Sequence, residues 1–232
     1  MSVPPEVTLD ELVPATMASL LSAAVAAGVG IVVSGGPGDG RTTVLRTLAA
    51  VIDPLDVIGV FETEPELKLP AERHAFVYNW SGARRGDQLV NAFRFRLDRA
   101  ILVDVAGPEL SLLTRRPDLS VGWLVSVKAE SVRQAVAKLG DGARTTEPVL
   151  VVQLASDDVP EPDGSVPRPV VAEVVEMLPG GNEATSVILR REHGRWVVAA
   201  MPSRRLMERL AASGFDVSEA EVLADRQQLR GL

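Results

Sequence analysis

Two kinds of hydrophobic pattern alternate along this chain. Short, mainly apolar runs stand at 31–33, 57–61, 75–78, 100–105 (with Asp104 near its end), 121–127 and 149–154. Between them lie segments whose apolar residues recur every three or four positions: Met17, Leu20, Leu21 and Val25; then Val44, Leu45, Leu48 and Ile52; then Leu89, Val90, Phe93 and Leu97. The first kind reads as buried strands and the second as amphipathic helices. Helices are expected after Pro14 to near Gly28, over 42–52, around 87–97, over 108–114 and over 131–139, with Pro54 and Gly140 as stops. Thr8, followed three residues later by Glu11, makes a capping box. Alternation of this kind implies a mainly parallel sheet covered on both faces.

The pattern changes after Ala155. Residues 156–169 carry four prolines, several acids and a glycine, and read as a loop or partial linker. β-rich runs at 170–177, 186–190 and 196–199 follow, divided by Pro179-Gly180-Gly181-Asn182 and His193-Gly194, and predict an antiparallel meander. Helices near 203–212 and 218–228 close the chain, the second opened by a capping box of Ser218 and Glu221. The expected division is a nucleotide-binding core over 1–155 and a β-meander with helices over 156–232 as an extension of the same domain.

Composition adds exclusions. With 232 residues the chain can bury a sizeable core, and 46% hydrophobic with 24% charged residues is ordinary for a globular protein. A net charge of −7 argues against a broad nucleic-acid footprint. The absence of cysteine excludes disulfides and thiolate metal sites, and with only His74 and His193 a multi-histidine centre is not expected. Between Glu11 and Asp39 no side chain is charged, which raises the question of a membrane span. Pro14 and the abundance of alanine and glycine favour a helix followed by a buried strand instead. Glu6, Asp10 and Glu11 are the wrong sign for a signal peptide, and the chain is expected in the cytoplasm.

The candidate chemistry sits where the first buried run ends. Gly35-Gly36-Pro37-Gly38-Asp39-Gly40-Arg41-Thr42-Thr43 has the layout of a phosphate-binding loop, G-x-x-x-x-G-K-[ST], with arginine in place of lysine. Gly35, Gly36, Gly38 and Gly40 let backbone N–H groups converge on phosphate oxygens, and the helix N-terminus behind them favours negative charge. Arg41, Thr42 and Thr43 complete the expected ATP contacts, with the Thr42 hydroxyl placed for Mg²⁺. Such a loop needs an acid at the end of a neighbouring strand to hold the metal, and Asp104 is the candidate. Glu62 and Glu64 are the nearest acids to orient a water. Arg85-Gly86-Asp87 is a chance match to an adhesion motif, and Trp80, Trp123 and Trp196 read as packing residues.

The order of these pieces resembles the C-terminal ATPase domain of the type II/type IV secretion ATPases, especially the CpaF-like subgroup of pilus-assembly motors. The likeness is carried by Thr8-Leu9-Asp10-Glu11-Leu12, by Val32 through Thr43 as a Walker A segment, and by Glu62 through Pro70 as an acidic box. Asn91 through Gly107 resembles the Walker B region, Gly122 through Ala129 the histidine box, and Leu206 through Val217 the closing helix. The resemblance implies a RecA-like P-loop α/β fold, ATP and Mg²⁺ as ligands, assembly into a ring (commonly a hexamer), and work beside inner-membrane secretion or pilus proteins without spanning the membrane. It also implies catalytic roles for Glu62, Asp104 and Lys128.

The departures fall in the working parts. The family lysine is Arg41, the second acid of the acidic box is Thr63, the Walker B glutamate is Asp104, a nearby arginine is Ala106, and the histidine that senses the γ-phosphate is Lys128. The family's N-terminal domain, which helps close the site, is expected to be missing from this chain. Arginine for lysine is not a conservative exchange, although a planar guanidinium can pair with phosphate oxygens and Lys128 can add charge from the other side. Two expectations follow: a motor ATPase with weak or lost turnover, or a silent relative that serves as regulatory or structural partner, including in a hetero-oligomer with an active secretion ATPase.

Overall fold

A computed structural model describes residues 7–82, 84–105, 107–114, 121–140, 147–155, 168–178 and 184–216. Strand β1 (Gly30–Gly35) is buried along its whole length. Ile31 and Val33 face one hydrophobic cluster, and Val32 faces the other. The period of two therefore sends side chains into cores on both sides of the sheet, as expected for an apolar run without polar alternation.

Around it the chain forms α1 (Leu9–Leu12), α2 (Ala15–Ala26), α3 (Arg41–Ala50), β2 (Ile58–Glu62), β3 (Ala75–Asn79), α4 (Arg85–Ala92), β4 (Arg99–Leu102) and α5 (Gly107–Thr114). Next come β5 (Gly122–Lys128), α6 (Val132–Leu139), β6 (Val149–Ala155), β7 (Val170–Met177), β8 (Thr185–Glu192), β9 (Arg195–Val198) and α7 (Arg204–Ala212). Among the described residues, the nine strands join one sheet in the order β3-β2-β4-β5-β1-β6-β7-β8-β9. The pairings from β3 to β6 are parallel and those from β6 to β9 antiparallel. One face is covered by α1, α2, α3 and α7, the other by α4, α5 and α6. The meander predicted after Ala155 is thus an antiparallel wing of the same sheet.

Local chemistry accounts for the ends. Glu11 closes the capping box, its carboxylate accepting the Thr8 N–H at 2.8 Å. After α2 the Gly28 N–H donates to Val25 and the Val29 N–H to Ala24, a Schellman closure. His193 and Gly194 both adopt positive φ, the type I′ geometry that joins two twisted strands with a two-residue turn.

Two boundaries correct the sequence reading. The helix expected over 87–97 breaks after Ala92 into a single 3₁₀ turn, Phe93–Phe95, and Arg96 turns left-handed so that Leu97 can be buried. The run 100–105 stops being strand at Leu102: the Asp104 N–H is taken by the Ser126 hydroxyl at 2.8 Å and the Val105 N–H by the Ser126 carbonyl at 2.9 Å. Asp104 therefore lies beyond the strand, at φ +52°. The Pro179–Asn182 turn, Ala106 and the helix expected over 218–228 lie outside the described residues.

On β7, Glu173 faces Gln153 on one side and Arg190 on the other. Burial raises its carboxyl above the ordinary value, with Arg190 opposing in part. A raised folded-state value means the ionised form is disfavoured by folding, so the penalty is fully present at neutral pH and relieved as pH falls through the folded value. Glu173→Gln is expected to raise the melting temperature at pH 7 and to lose that advantage by pH 4. A melting series across that range measures it, and an advantage that grows on acidification contradicts the assignment.

Candidate phosphate-binding site

The turn after β1 owes its path to two glycines. Gly38 and Gly40 sit at φ +85° and +81°, a region open to glycine and costly for other residues. Gly40 caps α3, its carbonyl accepting the Val44 N–H at 3.0 Å. The side chains of Arg41, Thr42 and Thr43 are half-buried on the first turn of α3, at the carboxyl edge of the parallel strands, where open α/β sheets bind ligands. Gly35 and Gly36 are buried, and the Gly36 N–H donates to Asp39 Oδ2 at 2.5 Å.

Arg41 bends back over this turn. One guanidinium nitrogen donates to the Gly35 carbonyl at 3.1 Å, and another meets Asp104 Oδ1 at 3.0 Å. The arginine is 13% exposed and the aspartate 60%. The structure therefore brings together the cation and the acid that the sequence singled out 63 positions apart, because β4 and β1 both flank β5. Lys128 is exposed at the end of β5, in register with Gly35.

The acidic stretch after β2 folds onto α3. Glu62 is 4% exposed, and its carboxylate accepts the N–H groups of Glu66 and Leu67 at 3.0 and 2.9 Å. Arg46 on α3 clamps the same turn, donating to the carbonyls of Leu67 and Glu66 at 2.8 Å each. This places Glu66 against the first turn of α3, where Thr42 Oγ1 donates to Glu66 Oε2 at 3.1 Å. Glu64 is exposed. Sequence reasoning passed over Glu66, and its signal was its position four residues after Glu62 in the same acidic run. It also passed over Asp39, taken only as part of the loop.

The hydroxyl of Thr42 beside the carboxylate of Glu66 is a hard oxygen pair suited to Mg²⁺, which keeps several waters and takes one or two carboxylates together with phosphate oxygens. Among the described residues no group of three or more His, Asp or Glu side chains is arranged to hold a metal unaided. The Thr42–Glu66 pair by itself fits Mg²⁺ whose remaining positions are filled by water and phosphate oxygens. Along the flank of α3, a cavity of about 810 Å³ is lined by Thr8, Leu9, Thr43, Arg46, Leu69 and Phe215 among others.

No protein-family model matches the chain, and no curated protein matches it. Solved structures do. The VirB11 ATPase of the Brucella suis type IV secretion system, determined with sulphate, aligns at TM-score 0.54 and 19% identity, over 75% of this chain and 64% of that one. The ATPase DotB of Legionella pneumophila aligns at 0.50 and 13% identity, over 97% and 58%. The pilus retraction motor PilT with bound ADP aligns at 0.51 and 12%, over 78% and 55%. The chain thus has the RecA-like α/β fold of secretion and pilus ATPases. It spans 55 to 64% of the length of these three structures.

Proposed function

We propose that this chain is a nucleotide-binding P-loop protein of the secretion and pilus motor type, CpaF-like in its motifs, with Mg·ATP as its ligand and weak turnover. The observation that carries the reading is the glycine turn between β1 and α3, with Arg41 folded across it, on the fold of these ATPases. Backbone N–H groups of residues 35–43 and the Arg41 guanidinium would hold the phosphates, and Lys128 would approach from the side of β5. Thr42 and Glu66, with Asp104 opposite, would hold Mg²⁺, which supplies charge neutralisation on the phosphate oxygens. Glu62 shapes the acidic turn, and the cavity beside Thr43 has the size of a small-ligand site and gives room for a nucleoside.

In this reading residues 1–155 form the nucleotide-binding core and 156–232 its extension, and copies assemble into a ring at the cytoplasmic side of a membrane. Among the described residues no helix is long and apolar enough to cross one.

A specific observation favours the second reading, a silent partner of an active motor. The Glu62 carboxylate already serves two backbone amides, and Arg41 already serves Asp104, so the groups expected to handle water and metal have other work. Calorimetric titration with Mg·ATP, alongside a phosphate-release assay, separates the two. Micromolar binding that weakens at least tenfold in Thr42→Ala supports a working phosphate site. ATPase activity gained in Arg41→Lys would assign the motor role, and binding without turnover in both forms would assign the silent one. No binding by the folded chain at millimolar nucleotide refutes the nucleotide reading.

A further inference from the structure

We propose that Asp39 sets the affinity of the phosphate loop by acting as an internal anion that an incoming phosphate must displace. The inference rests on the phosphate-site reading and names the residue that limits it. In a loop of this kind the backbone N–H groups of the turn are the ligand-binding groups. Here the Gly36 N–H is already engaged by Asp39 Oδ2 at 2.5 Å, and Asp39 is 9% exposed, so the carboxylate lies inside the turn. A carboxylate has the same sign as phosphate and competes for the same donor.

Two further contacts hold the turn in this closed form. Arg41, the cation that would meet the ligand, is engaged by the Gly35 carbonyl and by Asp104. Pro169, just before β7, lies against the last loop glycine: a Cβ built on Gly40 would come within 2.5 Å of the Pro169 ring. The ring packs on the end of the loop opposite Gly36, and an incoming phosphate meets the Asp39 carboxylate at the Gly36 N–H. Displacement exchanges one anion for another at Gly36, and a charge-assisted bond of this kind is worth roughly tenfold or more in an equilibrium.

The full chain, Asp39→Asn and Asp39→Ser are titrated with Mg·ATP and with Mg·ADP, and each protein is melted in parallel. Both variants are expected to bind at least tenfold more tightly than the parent, with serine gaining more because its short hydroxyl cannot fill the turn. Asparagine has the same shape as aspartate and carries the comparison if the serine form does not fold. The Gly36 amide resonance is a second readout, expected to shift in Asp39→Asn and, in the parent, on adding Mg·ATP. Equal or weaker binding by the folded variants overturns the proposal. A parent that binds nucleotide as tightly as its variants leaves the phosphate-site reading standing and removes Asp39 from it. Failure of all three folded proteins to bind at millimolar nucleotide overturns both.

Discussion

Arg41→Ala is expected, if the proposed nucleotide site is right, to lower the affinity for Mg·ATP by about a hundredfold while leaving the melting temperature within a few degrees of the parent. The two halves of this expectation have separate causes. Hydrogen bonds to charged groups contribute about 1.5–3 kcal/mol each, and a guanidinium on a phosphate makes up to two. Losing about 3 kcal/mol corresponds to roughly two decades in Kd. In the free protein the same side chain stabilises little. Asp104 is 60% exposed, so its pairing with Arg41 is strongly screened and worth at most about 1 kcal/mol. The Gly35 carbonyl, deprived of Arg41, still accepts the Ala129 N–H at 3.0 Å and is not orphaned. Calorimetry and thermal melting on one preparation test both halves. Unchanged affinity would remove Arg41 from the phosphate site, and a collapse in stability would make it a structural residue.

Phe61→Ala has the largest expected effect on folding, a loss of about 3–5 kcal/mol from deleting a large buried aromatic. Phe61 is fully buried on β2. Its ring stacks on Tyr78 at 4.8 Å and 9°, and meets Trp80 edge-on at 5.0 Å and 81°. A loss of this size is a large fraction of the total stability of an ordinary domain, about 5–15 kcal/mol. The effect reaches the site as well. Phe61 precedes Glu62, whose carboxylate holds the turn that sets Glu66 against Thr42. Denaturant titration is expected to show the midpoint falling with an unchanged slope. A shift below about 1 kcal/mol would mean that neighbouring side chains collapse into the space and that the aromatic cluster does not anchor β2.

How much of this was legible beforehand depends on the range of the interaction involved. Mainly apolar runs marked β1, β5 and β6 because strands buried on both faces take apolar residues at most positions, and two of their buried polar residues, Ser34 and Gln153, satisfy each other at 2.6 Å. The glycine turn and the α3 N-terminus were legible because dihedral preferences are local, and Gly38 and Gly40 do occupy the left-handed region. β3 was read as another buried run, yet its Phe76 and Val77 are exposed, since it is the outer strand of the sheet and strand order is not written in periodicity.

The sequence by itself determined the alternation of strands and helices, the turn chemistry and the residue types available for phosphate. Those follow from backbone sterics and from burial patterns that act within a few residues. Only the tertiary structure decided what each charged group touches. Glu62 turns inward onto two amides, Glu66 takes the place beside Thr42, Arg41 pairs with Asp104, and Asp39 folds into its own loop. A carboxylate's partner is set by which strand ends converge and by which N–H groups are left without a ladder. For Arg41 with Asp104 and for Thr42 with Glu66, both follow from strand order and register and are far apart in sequence, whereas Glu62 and Asp39 bond amides three to five residues away in turns that the fold buries.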